Sequence, residues 1–292
     1  GTITEEGALS DDRNNYIVAI VSSSKEFGLA ALELSTGELI VENHPTRDSL
    51  RDAIHRIAPG EGIAPTSEDE SGTEHEASAI FKDAGVACVT PVDYWFFEEA
   101  FARSTLLSHF GITSLDGFGC EDNSTVIRAA GAIMQHIREN LRRDLSHVTS
   151  MRLAQTSGYM TLDDATCEHL DLIPQRGRDP STTLYGVLNA TRTPMGARLL
   201  HNWIARPLLD LDSINARHEA VETLMKARGA LSPLRRLLGD IRDLERTIAR
   251  ISLSRGSPRD VNAISTALKT VPAIRDRLVP VAAGALLESI LR

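Results

Sequence analysis

The beginning of the chain alternates between short apolar runs and polar breaks. Residues 16–21 read Tyr-Ile-Val-Ala-Ile-Val, which has the length and the β-branched content of a buried strand. Residues 48–57 change to helical spacing, because Leu50, Ile54 and Ile57 fall on one side of a helix. The pattern predicts a mixed sheet with the order β-β-β-α-β. The predicted strands are residues 16–21, 27–34, 39–42 and 86–89.

The second half of the chain carries apolar residues at helical spacing almost throughout. Three of its predicted helix starts have the same sequence pattern, a Ser or Thr cap followed by Pro at the first helical position. These starts are Thr193-Pro194, Ser232-Pro233 and Ser257-Pro258. Asp212 predicts one further cap in this half, and Asn123 or Ser124 caps an earlier amphipathic helix.

Two adjacent carboxylates, Asp163 and Asp164, lie near the start of the most distinctive stretch, residues 160–207. On a helix such neighbours diverge by about 100°, so they cannot share a proton as a catalytic pair does. We interpret them as acidic residues of a first helical turn, near the positive end of the helix dipole. Later in the stretch, Gly196 predicts a helix that packs closely on a neighbouring helix, since Gly inside a helix is otherwise unfavourable.

The net charge of −9 is distributed unevenly. Residues 1–145 carry 11 Lys and Arg against 25 Asp and Glu, which leaves −14. The remaining residues carry 20 against 15, which leaves +5. An acidic half repels phosphates, and an excess of +5 is too small to indicate a nucleic-acid surface by itself.

The three cysteines, Cys88, Cys120 and Cys167, are widely spaced and form no Cys-x-x-Cys pattern. This usage is typical of a reducing, cytoplasmic setting without disulfides or zinc. No apolar run approaches the ~20 residues that span a bilayer, so no membrane partner is expected. Because the chain begins with Gly1 and not with Met, we expect a piece of a longer protein.

An acidic stretch at residues 64–77, interrupted by Pro, Gly, Ser and Thr, predicts a mobile solvated loop. The aromatic run Tyr-Trp-Phe-Phe follows at residues 94–97. We interpret it as a packing anchor at the base of a helix that begins near Glu98. Stacking on bases is a poor alternative, because no Lys or Arg lies between Lys82 and Arg103.

No motif of catalytic or cofactor chemistry is present. The sequence has no Gly-Lys pair, and hence no Gly-x-x-x-x-Gly-Lys-Ser/Thr phosphate loop. It also has no His-Glu-x-x-His helix and no Gly-x-Ser-x-Gly elbow. We therefore predict no catalytic, cofactor-binding or metal-binding residues in this chain.

A metal-dependent nuclease with a ribonuclease H-like domain and a helical accessory domain is the competing hypothesis. Such an enzyme needs a carboxylate on its first strand, where two Mg²⁺ ions hold the reacting phosphate. The predicted first strand is apolar and is followed by three Ser, and Glu33 alone cannot build a two-metal site. A purely structural helical scaffold is a third possibility.

Several motifs at fixed spacing indicate a family. Residues 162–166 read Leu-Asp-Asp-Ala-Thr, and residues 191–200 read Thr-Arg-Thr-Pro-Met-Gly-Ala-Arg-Leu-Leu, with Trp203 and Pro207-Leu208 after them. This pattern resembles the core (lever) region of MutS, a family of DNA mismatch repair proteins. One departure is the Cys-Glu-His at 167–169, where the family usually has a basic pair and Asn. Supporting matches lie at residues 106–119, 243–246 and 258–260.

The resemblance implies an α/β fold followed by an all-α fold: a ribonuclease H-like connector domain at residues 1–145, then an incomplete helical core domain at 146–292. The implied role is non-catalytic, transmitting nucleotide state and offering a surface to a MutL-like partner. The intact protein is expected to recognise mismatched duplex DNA with ATP, Mg²⁺ and a second MutS subunit. The Phe-x-Glu at residues 97–99 matches the family's mismatch-reading tripeptide, but we reject it because it lies in an acidic aromatic cluster.

A possible phosphate-binding stripe consists of Arg242, Arg246 and Arg250, at intervals of four residues. Asp243 and Glu245 lie between these arginines. A solvated face with salt bridges is therefore the preferred interpretation.

Overall fold

The structure is a computed structural model that describes residues 14–66, 76–140, 144–154, 158–174 and 179–291. The chain divides into two compact units, Gly1–Thr156 and Ser157–Arg292. The first unit extends past the predicted junction near residue 145, because a strand at Met151–Leu153 pairs with the sheet. The predicted order of a mixed sheet followed by a helical region is confirmed.

In the described residues, the first unit, here called the α/β unit, contains six strands: β1 Tyr16–Ser22, β2 Phe27–Glu33, β3 Leu39–His44, β4 Glu61–Pro65, β5 Val89–Val92 and β6 Met151–Leu153. They form one mixed sheet in the order β5-β4-β1-β2-β3-β6. The first three strands form an antiparallel meander, whereas β4 runs parallel to β1, β5 to β4, and β6 to β3. The helices are α1 Arg47–Ile57, α2 Glu76–Asp83, α3 Glu99–Phe110 and α4 Ser124–Glu139, with 3₁₀ turns at Tyr94–Phe97 and Asp116–Phe118.

Both faces of this sheet are covered, which explains the continuous apolar run of β1. Ile17, Ala19 and Val21 join the apolar cluster that contains the buried residues of α3 and α4. Val18 and Ile20, which point to the opposite face, join the cluster that contains those of α1 and α2. Alternate side chains of one strand thus fill two cores.

Several elements of the α/β unit differ from the prediction. The strand expected at residues 86–89 lies at β5, and β4 and α2 were not predicted. The ends of the acidic stretch at residues 64–77 belong to β4 and α2, whereas the rest of the predicted loop, residues 67–75, lies outside the described residues. The short β4 is defined by its pairing between β1 and β5, and its Gly62 packs directly on Phe81.

The second unit, here called the helical unit, begins with a bridge between Tyr159 and Leu208. Thr193 and Ser257 cap helices as predicted: Thr193 Oγ1 accepts from the Gly196 backbone N–H at 3.1 Å, and Ser257 forms a capping box with Asp260. The helices are α5 Asp164–His169, α6 Leu184–Leu188, α7 Pro194–Ala205, α8 Leu211–Lys226, α9 Arg228–Gly239, α10 Leu244–Ser252, α11 Pro258–Leu278 and α12 Ala285–Ile290.

Two predicted helix starts are wrong. Asp210, not Asp212, caps α8, because its carboxylate accepts from the Ser213 backbone N–H at 2.8 Å. The helix expected to start at Ser232-Pro233 begins at Arg228, so Pro233 lies inside α9. Because Pro has no backbone N–H, one hydrogen bond of the helix is missing at Pro233, but the helix continues past it.

Candidate functional site

The buried Glu33 at the end of β2 closes a turn. Its carboxylate accepts hydrogen bonds from three backbone N–H groups, those of Asn15 at 2.8 Å, Ser35 at 2.8 Å and Thr36 at 2.6 Å. The Ser35 hydroxyl donates to the same carboxylate at 2.7 Å. The turn after β2 therefore uses this carboxylate as a structural acceptor.

Two further buried carboxylates of the sheet are paired. Glu42 on β3 accepts from the Arg56 guanidinium at 2.7 Å, and His44 lies 3.2 Å away. Glu61, the first residue of β4, accepts from the Thr90 hydroxyl at 2.7 Å. Each of these carboxylates faces a local partner on a neighbouring element.

Metal-dependent nuclease chemistry finds no support in this arrangement. Among the residues that the structure describes, no group of three His, Cys, Asp or Glu side chains is placed to hold a metal ion. A two-metal site requires carboxylates that converge on one point, whereas Glu33, Glu42 and Glu61 each serve a separate contact. The nuclease hypothesis is not favoured.

The aromatic run at residues 94–97 forms a 3₁₀ turn in which Phe96 and Phe97 are buried. This confirms the interpretation as a packing anchor for Phe96 and Phe97, whereas Trp95 is exposed. Phe97 is 1% exposed, and its backbone carbonyl accepts from Arg128 Nε at 2.7 Å. The Phe-x-Glu that begins with Phe97 therefore has no ring available to insert between bases, in agreement with its rejection as the mismatch reader.

The most elaborate polar arrangement of the helical unit joins α7 to the start of α10. Arg198 on α7 is only 5% exposed, and its guanidinium donates to Asp243 at 2.6 and 2.9 Å and to Glu245 at 2.6 Å. Thr193 and Pro194 start α7, which carries Arg198 in its second turn. Asp243 also caps α10, since its carboxylate accepts from the Arg246 backbone N–H. One carboxylate thus both starts a helix and anchors it to another.

The charges of this cluster stabilise one another. Burial acts to raise the pKa of Asp243, but hydrogen bonds and charge from Arg198 outweigh it and keep this pKa below its usual value. Burial acts to lower the pKa of Arg198, and the two carboxylates reverse that effect and raise it. The ion pair therefore persists at physiological pH.

The arginine stripe does not form the predicted solvated face. Arg242 precedes α10, whereas Arg246 is 7% exposed and lies 3.7 Å from Asp243. Arg250 pairs with Asp260 of the α11 capping box. The salt bridges were predicted, but the burial was not. The Arg250–Asp260 pair links α10 to α11, and the Arg198–Asp243 pair links the start of α10 to α7.

The Asp163-Asp164 pair opens α5 as expected. Asp163 is the cap, and its carboxylate accepts from the Thr166 backbone N–H at 2.7 Å, while Asp164 is in the first turn. The interpretation as acidic residues of a helix start is confirmed. Within the described ranges, no helix is long and apolar enough to cross a membrane.

Sequence reasoning missed the buried Arg198. An Arg on an amphipathic helix usually indicates the solvent side, and its partners lie 45 and 47 residues further along the chain. A usable signal was the Asp-Leu-Glu-Arg at residues 243–246, which places two carboxylates at a helix start where only one is needed as a cap.

Comparison with known proteins supports the same division of the chain. The family model of MutS domain II matches residues 15–149, and that of MutS domain III matches residues 165–290. The chain is 38% identical to the DNA mismatch repair protein MutS of Symbiobacterium thermophilum over 99% of its length and 33% of the relative's. It is 33% identical to the MutS protein of Protochlamydia amoebophila, over 96% of this chain and 32% of that protein. It is 31% identical to the MutS protein of Trichormus variabilis, over 96% of this chain and 33% of that protein.

The chain thus spans about a third of the length of these curated relatives. Its mixed sheet coincides with domain II and its helical array with domain III, which fits a connector domain followed by a helical core domain. The two matched domains do not include the family's ATPase domain. On these grounds the chain belongs to the MutS family of DNA mismatch repair proteins.

Proposed function

We propose that this chain is the non-catalytic connector and core part of a mismatch repair protein. In this role the core helices transmit nucleotide state, and the connector offers a surface to a MutL-type partner. The parent protein recognises mispaired duplex DNA with ATP and Mg²⁺, acts with a second MutS subunit, and works in the cytoplasm. Support comes from the family membership and from the share of the relatives' length that the chain covers.

The observation that carries the mechanical role is the Arg198 cluster. A guanidinium that binds two carboxylates can adopt few orientations, because it is planar and each N–H must point at a carboxylate oxygen within hydrogen-bond distance. Breaking such a buried pair is costly, since it leaves an uncompensated charge. Helices α7 and α10 are therefore expected to move together, as an element that passes on a displacement must.

This chain does not supply the ATP site itself. ATP hydrolysis needs backbone N–H groups and a Lys around the phosphates, together with a hydroxyl for Mg²⁺. The sequence contains no phosphate loop, and no group in its described part is placed to hold a metal ion. The residues present do not fit an ATP–Mg²⁺ site, so we assign nucleotide chemistry to another part of the parent protein.

Duplex DNA binding is also assigned elsewhere, on grounds of charge. Non-specific affinity arises from several Lys and Arg that neutralise phosphates together. Residues 1–145 carry −14, and in the helical unit Arg198, Arg246 and Arg250 are engaged with carboxylates. The Lys and Arg of residues 146–292 are nearly balanced by Asp and Glu, since 20 against 15 leaves +5, an excess too small to indicate a phosphate-binding surface by itself.

The test uses the full chain of 292 residues. Labelled heteroduplex and homoduplex DNA are titrated at ~50 mM salt, where phosphate-driven binding is strongest. We expect neither micromolar binding nor ATP turnover above a heat-inactivated control, and no cleavage of DNA with Mg²⁺ or Mn²⁺. Saturable binding to a purified MutL protein is expected in the same buffer. Tight DNA binding or ATP turnover contradicts the assignment, and failure to bind MutL contradicts the partner role.

A further inference from the structure

The positive charge of the helical unit is concentrated in one segment. Residues 223–239 carry four cations, Lys226, Arg228, Arg235 and Arg236, and no Asp or Glu. The rest of residues 146–292 carries 16 Lys and Arg against 15 Asp and Glu. The excess of positive charge therefore lies almost entirely at the end of α8 and along α9.

The arginines of α9 differ from the buried Arg198, which two carboxylates hold. Arg228 and Arg236 are exposed, and neither has a carboxylate partner among the residues that the structure describes. Arg235 donates to the Ala190 carbonyl at 2.9 Å, which leaves its charge without a counterion there. Arg228 also lies in the first turn of α9, where the helix dipole disfavours a cation, and neither a side-chain cap nor an acid compensates for it.

A shallow groove of about 560 Å³ runs along the last part of α8 to Arg228 at the start of α9. Its apolar side chains are Val221 and Met225, which are 57% and 58% exposed. Its acid, Glu222, is already bound by Lys226 at 2.6 Å. The groove therefore offers apolar surface and, at one end, a guanidinium that no carboxylate neutralises. The lining residues are His218, Val221, Glu222, Met225, Lys226 and Arg228.

We propose that this groove together with Arg228 and Arg236, here called the α9 arginine groove, binds a peptide segment of a protein partner that carries Asp or Glu beside an apolar side chain. A guanidinium binds a carboxylate through two parallel hydrogen bonds, and the flexible side chain of Met225 adapts to apolar groups of different shape. A phosphate backbone fits less well, because it has no apolar group to cover Val221 and Met225. The inference goes beyond the proposed function, which places the partner surface on the connector.

The experiment uses the full chain and a fluorescein-labelled synthetic peptide of Glu-Glu-Leu repeats. Fluorescence anisotropy is measured at ~50 mM salt, where attraction between exposed charges is strongest, and again at ~200 mM salt. We expect saturable binding with an affinity that falls severalfold at the higher salt concentration. Peptides with Gln in place of every Glu, or Ser in place of every Leu, are expected to bind at least about tenfold more weakly, because each lacks one half of the recognised chemistry.

Variants of the chain locate the site. Arg228→Gln/Arg236→Gln is expected to weaken peptide binding at least about tenfold, and Met225→Ser severalfold. The matched control is Arg259→Gln/Arg277→Gln, which removes the same charge from exposed positions of α11 and is expected to change the affinity less than about twofold. All of these side chains are exposed, so each variant should unfold at the same urea concentration as the unmodified chain.

The outcomes separate specific recognition from general attraction. If Arg228→Gln/Arg236→Gln binds the peptide as the unmodified chain does, or the α11 control loses as much affinity, the groove is not the site. Equal binding of the Gln peptide, equal binding of the Ser peptide, an unchanged affinity of Met225→Ser, or no saturable binding of the Glu-Glu-Leu peptide would each overturn the proposal. If duplex or single-stranded DNA displaces the labelled peptide at lower concentrations than the unlabelled peptide does, the surface takes phosphates and the proposal is wrong.

Discussion

The two units of this chain are stabilised in different ways. The α/β unit buries two large apolar clusters, one on each face of its sheet. The buried apolar residues of the helical unit are mostly Ala, and most of its described helices carry large apolar side chains that are exposed, such as Val187, Leu211 and Leu268. The helical unit depends more on its caps and buried ion pairs, whereas the α/β unit has such pairs, for example Arg56 with Glu42, in addition to its apolar clusters.

This difference shows which contacts define each structure. Apolar burial is non-directional, so a two-sided sheet core tolerates many sequences of similar volume. Ion pairs and caps depend on direction, and they set which helix meets which and where each helix begins. We therefore expect volume changes to act mainly on the α/β unit, and the loss of single polar partners to act mainly on the helical unit.

The largest effect is expected for Arg198→Ala. Removing this guanidinium leaves Asp243 buried without its main partner, which typically costs about 3–5 kcal/mol. The helical unit alone should be destabilised, because the clusters of the α/β unit contain no residue near this site. Urea unfolding followed by Trp203 in a Trp95→Phe background reports the helical unit, and Trp95 in a Trp203→Phe background reports the α/β unit.

Two control variants test whether the loss of stability is specific to the buried ion pair. Glu245→Gln keeps Asp243 paired, and because Glu245 is 54% exposed we expect less than about 1 kcal/mol. Arg259→Ala removes an exposed Arg of α11 and should leave both transitions unchanged. If Arg198→Ala shifted both tryptophan signals equally, the two units would not be energetically separate and the comparison would be wrong.

The second-largest effect is expected in the α/β unit. Gly131 on α4 faces α3 so closely that an added Cβ would lie 2.4 Å from the Ala102 Cβ. Gly131→Ala should therefore overpack the α/β unit by about 1–3 kcal/mol, more than the gain of about 1 kcal/mol in helix propensity. The measurement is the unfolding midpoint reported by Trp95. An unchanged or raised midpoint would mean that α3 and α4 can separate freely.

Gly196 is the matched glycine of the helical unit. The sequence predicted close packing on a neighbouring helix, but the three atoms nearest to an added Cβ belong to Thr193 and Thr191, at 3.0, 3.6 and 3.7 Å. They are part of the turn that caps the same helix, so the packing interpretation is wrong. Gly196→Ala should be close to neutral, since a small adjustment of the cap is offset by propensity.

These cases show what could be predicted from sequence. The run of β1 was recognisable because both of its faces are buried, and the caps Thr193 and Ser257 were recognisable because a cap acts within four residues. The strand β4 could not be recognised from its sequence, Glu-Gly-Ile-Ala-Pro, because its pairing with β1 and β5 comes from tertiary structure. Arg198 was missed for the same reason, since its partners are remote in sequence.

An effect smaller than those of Arg198→Ala and Gly131→Ala is expected at the capping box of α11. The Ser257 hydroxyl and the Asp260 carboxylate bond each other's backbone N–H groups at 3.3 and 2.8 Å, and Arg250 holds the same carboxylate. Ser257→Ala should cost about 1 kcal/mol in the helical unit and nothing in the α/β unit. Ser257→Thr, which can keep the cap, is the control, and equal losses for both variants would show that the cap is not what stabilises this helix start.

The smallest effect concerns pH and belongs to the α/β unit. His109 on α3 lies between two partners: its Nε2 is 2.7 Å from the Val148 carbonyl, and its Nδ1 is 2.9 Å from the Arg138 guanidinium. The carbonyl requires a proton on Nε2, and the guanidinium requires a free Nδ1, so the neutral ring fits. His147 similarly places Nε2 3.1 Å from the Leu34 carbonyl. Burial lowers the pKa of both histidines, and the charge of Arg138 lowers that of His109 further.

The sign of the pH effect follows from these lowered pKa values. As pH falls below about 6.5, His109 and His147 become protonated in the unfolded chain but stay neutral in the folded protein. The unfolded state then binds more protons, so the free energy of unfolding decreases. The decrease ends once pH is below the folded pKa values. Unfolding of the α/β unit, followed by Trp95 between pH 7.5 and 5, should show this loss, and His109→Gln/His147→Gln should reduce the slope. A slope that stays the same in the double variant would assign the proton uptake to other groups, and a rise in stability on acidification would contradict the neutral-ring geometry.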